Sequence, residues 1–144
     1  MKKIDAFWDS SALVPLCVSQ STSTAAKAAL RSKSIAVWWG TPIEVTSAFT
    51  RLLRSGDISQ REFQSAMARL VMLRRQWVEI QPTDSLRVLA EKLLQQHALR
   101  SADALQLAAA LIWAKHRPRG RAFVCFDGRL AEAARKEAFT ADIV

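Results

Sequence analysis

Four short apolar runs, separated by longer stretches of helical period, most constrain what this chain can fold into. They are Ile4 to Trp8, Ile35 to Trp39, Trp77 to Ile80 and Ala122 to Phe126. All are rich in β-branched or aromatic residues, and the first, second and fourth are largely apolar on both alternating faces. Runs of that kind read as strands buried on both sides, as in a parallel sheet. Strands separated by helices predict an α/β fold, a central parallel sheet covered on both faces. Asp142-Ile143-Val144 offers one further short edge strand.

The intervening segments carry helix signals. Ser21 to Ser34 is Ala-rich and opens on hydroxyl residues. Thr41-Pro42-Ile43-Glu44 has a capping Thr, a first-turn Pro and a Glu at the capping-box position, and opens a helix to Arg54 that Ser55-Gly56 stops. Ser59-Gln60-Arg61-Glu62 repeats the capping box and opens a helix to Gln76, which forms a hairpin with the one before it. Thr83-Asp84 starts a helix ending near His97, and Ser101 caps another from Ala102 to Lys115. The latter is apolar nearly all round, which places it inside a domain. Arg129 to Glu137 is a last short helix. No repeat, linker or low-complexity tract divides the chain, so residues 1–144 read as one domain.

Composition excludes several classes. The chain is half hydrophobic with four Gly and four Pro, which argues against disorder. Its longest clean apolar run, Leu107 to Ala114, falls far short of the roughly twenty residues a membrane span needs. Asp5 and Asp9 interrupt the apolar stretch that a secretory signal would require after Met1-Lys2-Lys3. Cys17 and Cys125 lie among apolar neighbours, without a Cys-x-x-Cys and without His97 or His116 at ligand spacing, so they read as buried free thiols of a reducing cytoplasm. Against 13 acids stand 21 Lys and Arg, a net charge of +8, which points to a polyanionic partner and first to nucleic acid.

The acids are the informative residues. Glu62, Asp84, Glu91, Glu132 and Glu137 fall in helix starts or on polar helix faces. Asp9 and Asp127 instead directly follow the first and fourth strands, Glu44 is in the first turn after the second, and Asp103 opens the apolar helix. Strand ends and the starts of the following helices share one edge of an open parallel sheet, where ligand sites gather. Each acid also has a plainer reading. Glu44 would close a capping box, Asp103 would complement a helix dipole, Asp127 would sit in a turn, and Asp9 would cap a short helix. Together, four carboxylates at one edge repel each other unless a cation lies between them. All-oxygen ligands suit Mg²⁺ or Mn²⁺. A hard cation so held polarises a phosphoryl oxygen and lowers the pKa of a bound water, the chemistry of phosphodiester hydrolysis.

Four segments carry a family resemblance. Phe7-Trp8-Asp9-Ser10-Ser11-Ala12-Leu13-Val14, Pro42-Ile43-Glu44-Val45, Leu99-Arg100-Ser101-Ala102-Asp103-Ala104-Leu105-Gln106-Leu107-Ala108 and Phe123-Val124-Cys125-Phe126-Asp127 resemble, in order, the motifs of PIN-domain ribonucleases, and most of all the VapC toxins of type II toxin–antitoxin modules. The resemblance implies a three-layer α/β/α sandwich with a central parallel sheet, and Mg²⁺- or Mn²⁺-dependent endoribonuclease activity. Asp9 and Asp103 match the family's principal metal ligands, and Glu44 and Asp127 complete its acidic quartet. Ser11 matches a small polar residue near the first acid. A homodimer is implied, as is a small VapB-like antitoxin bound along the helices over 42–54 and 60–76. One departure is Cys125, where the family often has Thr or Ser; a thiol is a poor ligand for Mg²⁺, which bears on a second metal ion at Asp127.

Two competing functions remain at this level. One is a PIN-like module that binds RNA or protein without cutting it. The other is a phosphatase or phosphoacceptor domain, which wants an Asp-x-Asp pair or a late Lys where this chain has Asp9-Ser10-Ser11 and Arg129. Arg117 to Arg121 reads as a solvated loop at the opposite sheet edge. Trp8, Trp38, Trp39 and Trp113 read mostly as core. Some of Arg51, Arg54, Arg61, Arg69, Arg74 and Arg75 on the hairpin are expected to steer RNA.

Overall fold

The computed structural model describes residues 2–141, and the expected strand at 142–144 lies outside them. Four strands, β1 (Ala6–Trp8), β2 (Ala36–Trp38), β3 (Val78–Ile80) and β4 (Ala122–Val124), form one parallel sheet in the order β3-β2-β1-β4. Seven helices join them: α1 (Ser10–Cys17), α2 (Ser23–Ser32), α3 (Thr41–Arg54), α4 (Gln60–Arg74), α5 (Asp84–Gln96), α6 (Ser101–Trp113) and α7 (Gly128–Lys136). The architecture is α/β, helices against both faces of the sheet, as the sequence pattern predicts.

Strand alternation divides the core into two layers. Phe7, Ala36, Trp38 and Phe123 point to the side covered by α5, α6 and α7. Ala6, Trp8, Val37 and Val124 point to the other, against α1, α3 and α4. From β1 to β3 the chain steps outward in one direction, and it then returns past β1 to lay down β4. Crossovers in parallel sheets keep one hand, so reversing direction moves the connecting helices to the opposite face. The reversal falls at the carboxyl ends of β1 and β4, the usual place for a ligand in such sheets.

The strands are shorter than the apolar runs. Ile4 makes only an isolated bridge to Lys33, and Trp39 lies past β2, nearly half exposed. Trp8 and Trp38 are core, so the core expectation fails for Trp39 alone of these three. Trp113 is partly buried under Arg121, whose guanidinium lies 4.1 Å from the ring centroid; this cation–π contact takes Arg121 out of the solvated loop. Glu137, expected on a solvated face, is three-quarters buried and pairs with His97 at 2.6 Å, tying the α5–α6 connection to the end of α7.

Capping explains where the helices start. Ser59 and Glu62 form the expected capping box of α4, and Thr83 caps α5. Two expected caps are absent. Gly40, not Thr41, occupies the N-cap of α3, and Arg100, not Ser101, that of α6. A side chain at Gly40 has no room: a Cβ there would fall 2.5 Å from Cζ2 of Trp38. Gly40→Ala is therefore expected to destabilise the fold by about 1–3 kcal/mol through overpacking. A urea midpoint equal to the parent's would show that the indole moves aside freely.

The α3–α4 hairpin spends most of its apolar stripe inward. Phe49, Ala66, Leu70 and Leu73 are buried, and Leu52, Leu53, Phe63 and Met67 pack partly against them. Ile43, Val71 and Met72 remain exposed. Cys17 and Cys125 are both free and buried, as expected. Among the described residues no helix is long and apolar enough to cross a membrane.

Candidate active site

The four acids come from four different segments of the chain and meet at the carboxyl edge of β1, β2 and β4. Asp9 continues β1, its backbone N–H still bonded to the Val124 carbonyl at 3.0 Å. It then caps α1, Oδ2 accepting from the Ser11 N–H at 3.2 Å. The plainer reading of Asp9 as a cap is thus correct, yet incomplete. The side chain is only 4% exposed, and burial raises its pKa. Ser11 hydrogen bonds oppose the rise, and the charge of Asp103 adds to it.

Glu44 does not close a capping box. Its carboxylate turns inward and accepts hydrogen bonds from the Ser10 hydroxyl at 3.0 Å, Trp38 Nε1 at 3.4 Å and the Gln106 amide at 3.3 and 3.2 Å. Burial raises the pKa of Glu44, and the charge of Asp9 raises it further. All three donors are neutral. They orient the carboxylate without cancelling its charge.

Asp103 accepts from the Arg100 backbone N–H at 3.4 Å, the helix-start role that its position suggests. Burial raises its pKa; the Asp127 charge adds to this, while Arg100 and Arg129 work against it. Asp127 caps α7, one oxygen accepting from the backbone N–H of Arg129 at 3.0 Å and of Leu130 at 3.3 Å. Repulsion therefore links the acids in a chain: Glu44 with Asp9, Asp9 with Asp103, Asp103 with Asp127. Asp103, whose place at this edge rested on inference, belongs to the group.

Among the described residues no acid of the group is in an ion pair, although the Arg100 and Arg129 charges reach Asp103. The side-chain ion pairs among the described residues are Arg87 with Asp84, His97 with Glu137 and Lys136 with Glu132; none involves the four acids. Asp103 and Asp127 each use one carboxylate oxygen in the bonds above and keep the other free of any protein donor among the described residues, whereas Asp9 is held by Ser10, Ser11 and Cys125. Hard oxygen donors with unused lone pairs suit Mg²⁺ or Mn²⁺. Among the described residues no group of three or more Asp, Glu, His or Cys side chains is placed to hold a metal ion. Mg²⁺ does not require one, since it commonly takes one or two carboxylates and completes its shell with water and substrate phosphate.

Cys125 is fully buried beside Asp9. Its Sγ lies 3.7 Å from Asp9 Oδ2 and 3.8 Å from the Ser11 hydroxyl. Burial first, then the Asp9 charge, pushes this thiol well up, so it stays protonated and acts as a weak donor. Ser11 Oγ in turn accepts from the Phe126 N–H at 3.0 Å, fastening the start of α1 to the end of β4.

Three residues near the acids escaped the sequence reading. Arg100 and Arg129 are exposed cations whose charge reaches Asp103. The hairpin arginines, by contrast, include one already committed: Arg69 donates to the Cys17 carbonyl at 2.9 Å. The third is Gln106, fully buried, whose Nε2 reaches Glu44 and also Thr41 Oγ1 at 3.2 Å. Among the described residues its Oε1 has no hydrogen-bond partner, an omission of a kind that costs about 1–3 kcal/mol. A single amide in an otherwise apolar helix, one turn beyond Asp103, was the available signal.

Chemically, the arrangement is a set of charge-coupled carboxylates, none in an ion pair among the described residues, with cations at its rim. No protein-family model matches the chain, and no curated protein shows significant similarity to it.

Proposed function

We propose that this chain is a divalent-cation-dependent endoribonuclease of the PIN type, acting in the cytoplasm as the toxin of a VapBC-like module. One observation carries the reading. Asp9, Glu44, Asp103 and Asp127 gather at the reversal point of a parallel sheet, three with raised pKa values and, among the described residues, none in an ion pair. An arrangement that costs stability when empty is explained if it receives positive charge.

Asp9, with Glu44 or Asp103 beside it, would hold Mg²⁺ or Mn²⁺ through one or two carboxylates, water and substrate phosphate completing the shell, and Asp127 would stand next to Asp103. When bound, the cation would supply Lewis-acid polarisation of a phosphate oxygen and an activated water. The chain's own groups do the rest. Ser10, Trp38 and Gln106 orient Glu44; Ser11 and Cys125 hold Asp9; Arg100 and Arg129, exposed cations near Asp103, attract the phosphates of the RNA. Setting the four acids aside leaves 21 basic residues against nine acidic ones, a shell of +12 that attracts a polyanion. Exposed Ile43, Val71 and Met72 on the hairpin support an antitoxin helix seated there.

The direct test is cleavage of a structured RNA by the purified protein. EDTA should abolish it and excess Mn²⁺ restore it. Tight binding with no turnover, indifferent to metal, would return the non-catalytic reading. The rim cations give a second expectation. Arg129→Ala and Arg100→Ala should each raise KM several-fold and flatten the salt dependence of RNA binding by a slope of about 0.7, as for one lost phosphate contact on a single strand. An unchanged slope in both variants would place the RNA elsewhere.

A further inference from the structure

Gln106 has no reason to be where it is if α6 is only core. After its first turn the helix is otherwise apolar, and a Leu or Met at this position would suit the packing. The amide instead crosses the edge of the sheet. It starts from the α6 layer and reaches Thr41 and Glu44 of α3, which belongs to the opposite layer. Asp103 and Gln106 are three residues apart, so they share one helical face. The first meets the open edge, and the second stands one turn deeper.

The orientation of the amide is informative. Nε2 faces both Glu44 oxygens and the Thr41 oxygen, while Oε1 is buried without a donor. Turning the amide over would set its oxygen against a carboxylate. In this orientation the amide gives the Glu44 carboxylate a donor on both oxygens and leaves its own oxygen without one among the described residues. A group used only to fill space would not be arranged in this way.

We propose that Gln106 is a positioning residue, holding the Glu44 carboxylate beside Asp9 so that the two are presented together to a divalent cation. This rests on the metal-dependent reading above and extends it to a residue outside the acidic quartet. Glu44 has three holders from three elements, but only Gln106 contacts both oxygens. Without it each oxygen keeps a single donor, the Ser10 hydroxyl on Oε1 and Trp38 Nε1, at 3.4 Å, on Oε2, and no group spans the two.

The test is Mn²⁺ binding to the full chain, read by calorimetry or by the paramagnetic signal of free Mn²⁺, with no RNA present. Gln106→Met keeps length and volume and removes both the donor and the orphaned oxygen. It should weaken Mn²⁺ binding by about 10–100-fold, the usual effect of losing a group that orients a ligand. The metal-free melting temperature should stay close to the parent's. In a Glu44→Gln background the same substitution should cost no more than about twofold, because the carboxylate it acts through is gone. A purely structural role would cost the same in both backgrounds. Should Gln106→Met fail to fold, Gln106→Asn keeps the amide but is too short to span the gap, and the same loss is expected. Parent-like Mn²⁺ affinity in a folded variant, or an equal loss without Glu44, overturns the proposal alone. A parent chain that binds no Mn²⁺ overturns the metal-dependent reading and this inference with it.

Discussion

Asp9→Asn is expected to remove RNA cleavage, by a factor of at least on the order of 10²–10³, while leaving the protein folded and no less stable. The two halves of that expectation have different origins. The side chain is the N-cap of α1, and Asn caps as well as Asp, so the bond from the Ser11 N–H survives the change. Removing the charge also ends its repulsion with Asp103 and Glu44, and lifts the cost of burying an anion. The metal-free melting temperature should therefore hold or rise. Asp9→Ala is the contrast: it loses the cap as well and should cost about 1 kcal/mol. Cleavage of a defined RNA, with melting curves in metal-free buffer, separates the cases. Full activity in Asp9→Asn would end the nuclease reading.

The second large effect is a reversal in how pH acts on stability. Asp9, Glu44 and Asp103 all have pKa values raised by burial and by one another. The folded protein thus binds more protons than the unfolded chain above the ordinary carboxylate range. Stability from these groups falls as pH rises through their folded pKa values and is recovered as pH falls towards the unfolded ones. Glu62, whose pKa its capping box lowers, runs the other way; it is fully exposed and acts at lower pH. Without metal, melting temperature should climb as pH is lowered from neutrality towards the ordinary carboxylate range. Mn²⁺ at about a hundred times its Kd should add roughly 2.7 kcal/mol at neutral pH, some 5–10 °C, and should lose that effect in acid as protons compete for the same oxygens. The acid-side gain should shrink in Asp9→Asn. A metal-free melting curve flat across that range would mean that the acids are better solvated than their burial indicates.

Much of the frame was legible in residue order. The apolar runs located all four strands, and the capping box at Ser59, the Thr83 cap and the helix over Thr41–Arg54 stand as read. Boundaries moved where backbone pairing ended before the apolar residues did, as at Ile4 and Trp39. Local rules named the wrong caps at Thr41 and Ser101 because they score a hydroxyl at a helix start and do not see what the hydroxyl faces. Thr41 is turned to Gln106, and its neighbour Gly40 is shaped by the Trp38 ring.

The same contrast holds for the acids. That Asp9, Glu44 and Asp127 follow strands, and so share one edge, is a consequence of chain order in any parallel α/β sheet. It needs only hydrophobic period and the single hand of the crossovers. Whether Glu44 caps its own helix or serves the site is a matter of which donors surround it. Those donors, from Ser10, Trp38 and Gln106, lie 34, 6 and 62 residues away along the chain. Burial and mutual repulsion likewise exist only once α6 has brought Asp103 to Asp9. Chain order carries local period and turn chemistry; desolvation, charge coupling and the crossing of Gln106 between layers are properties of packing, and only the folded chain has them.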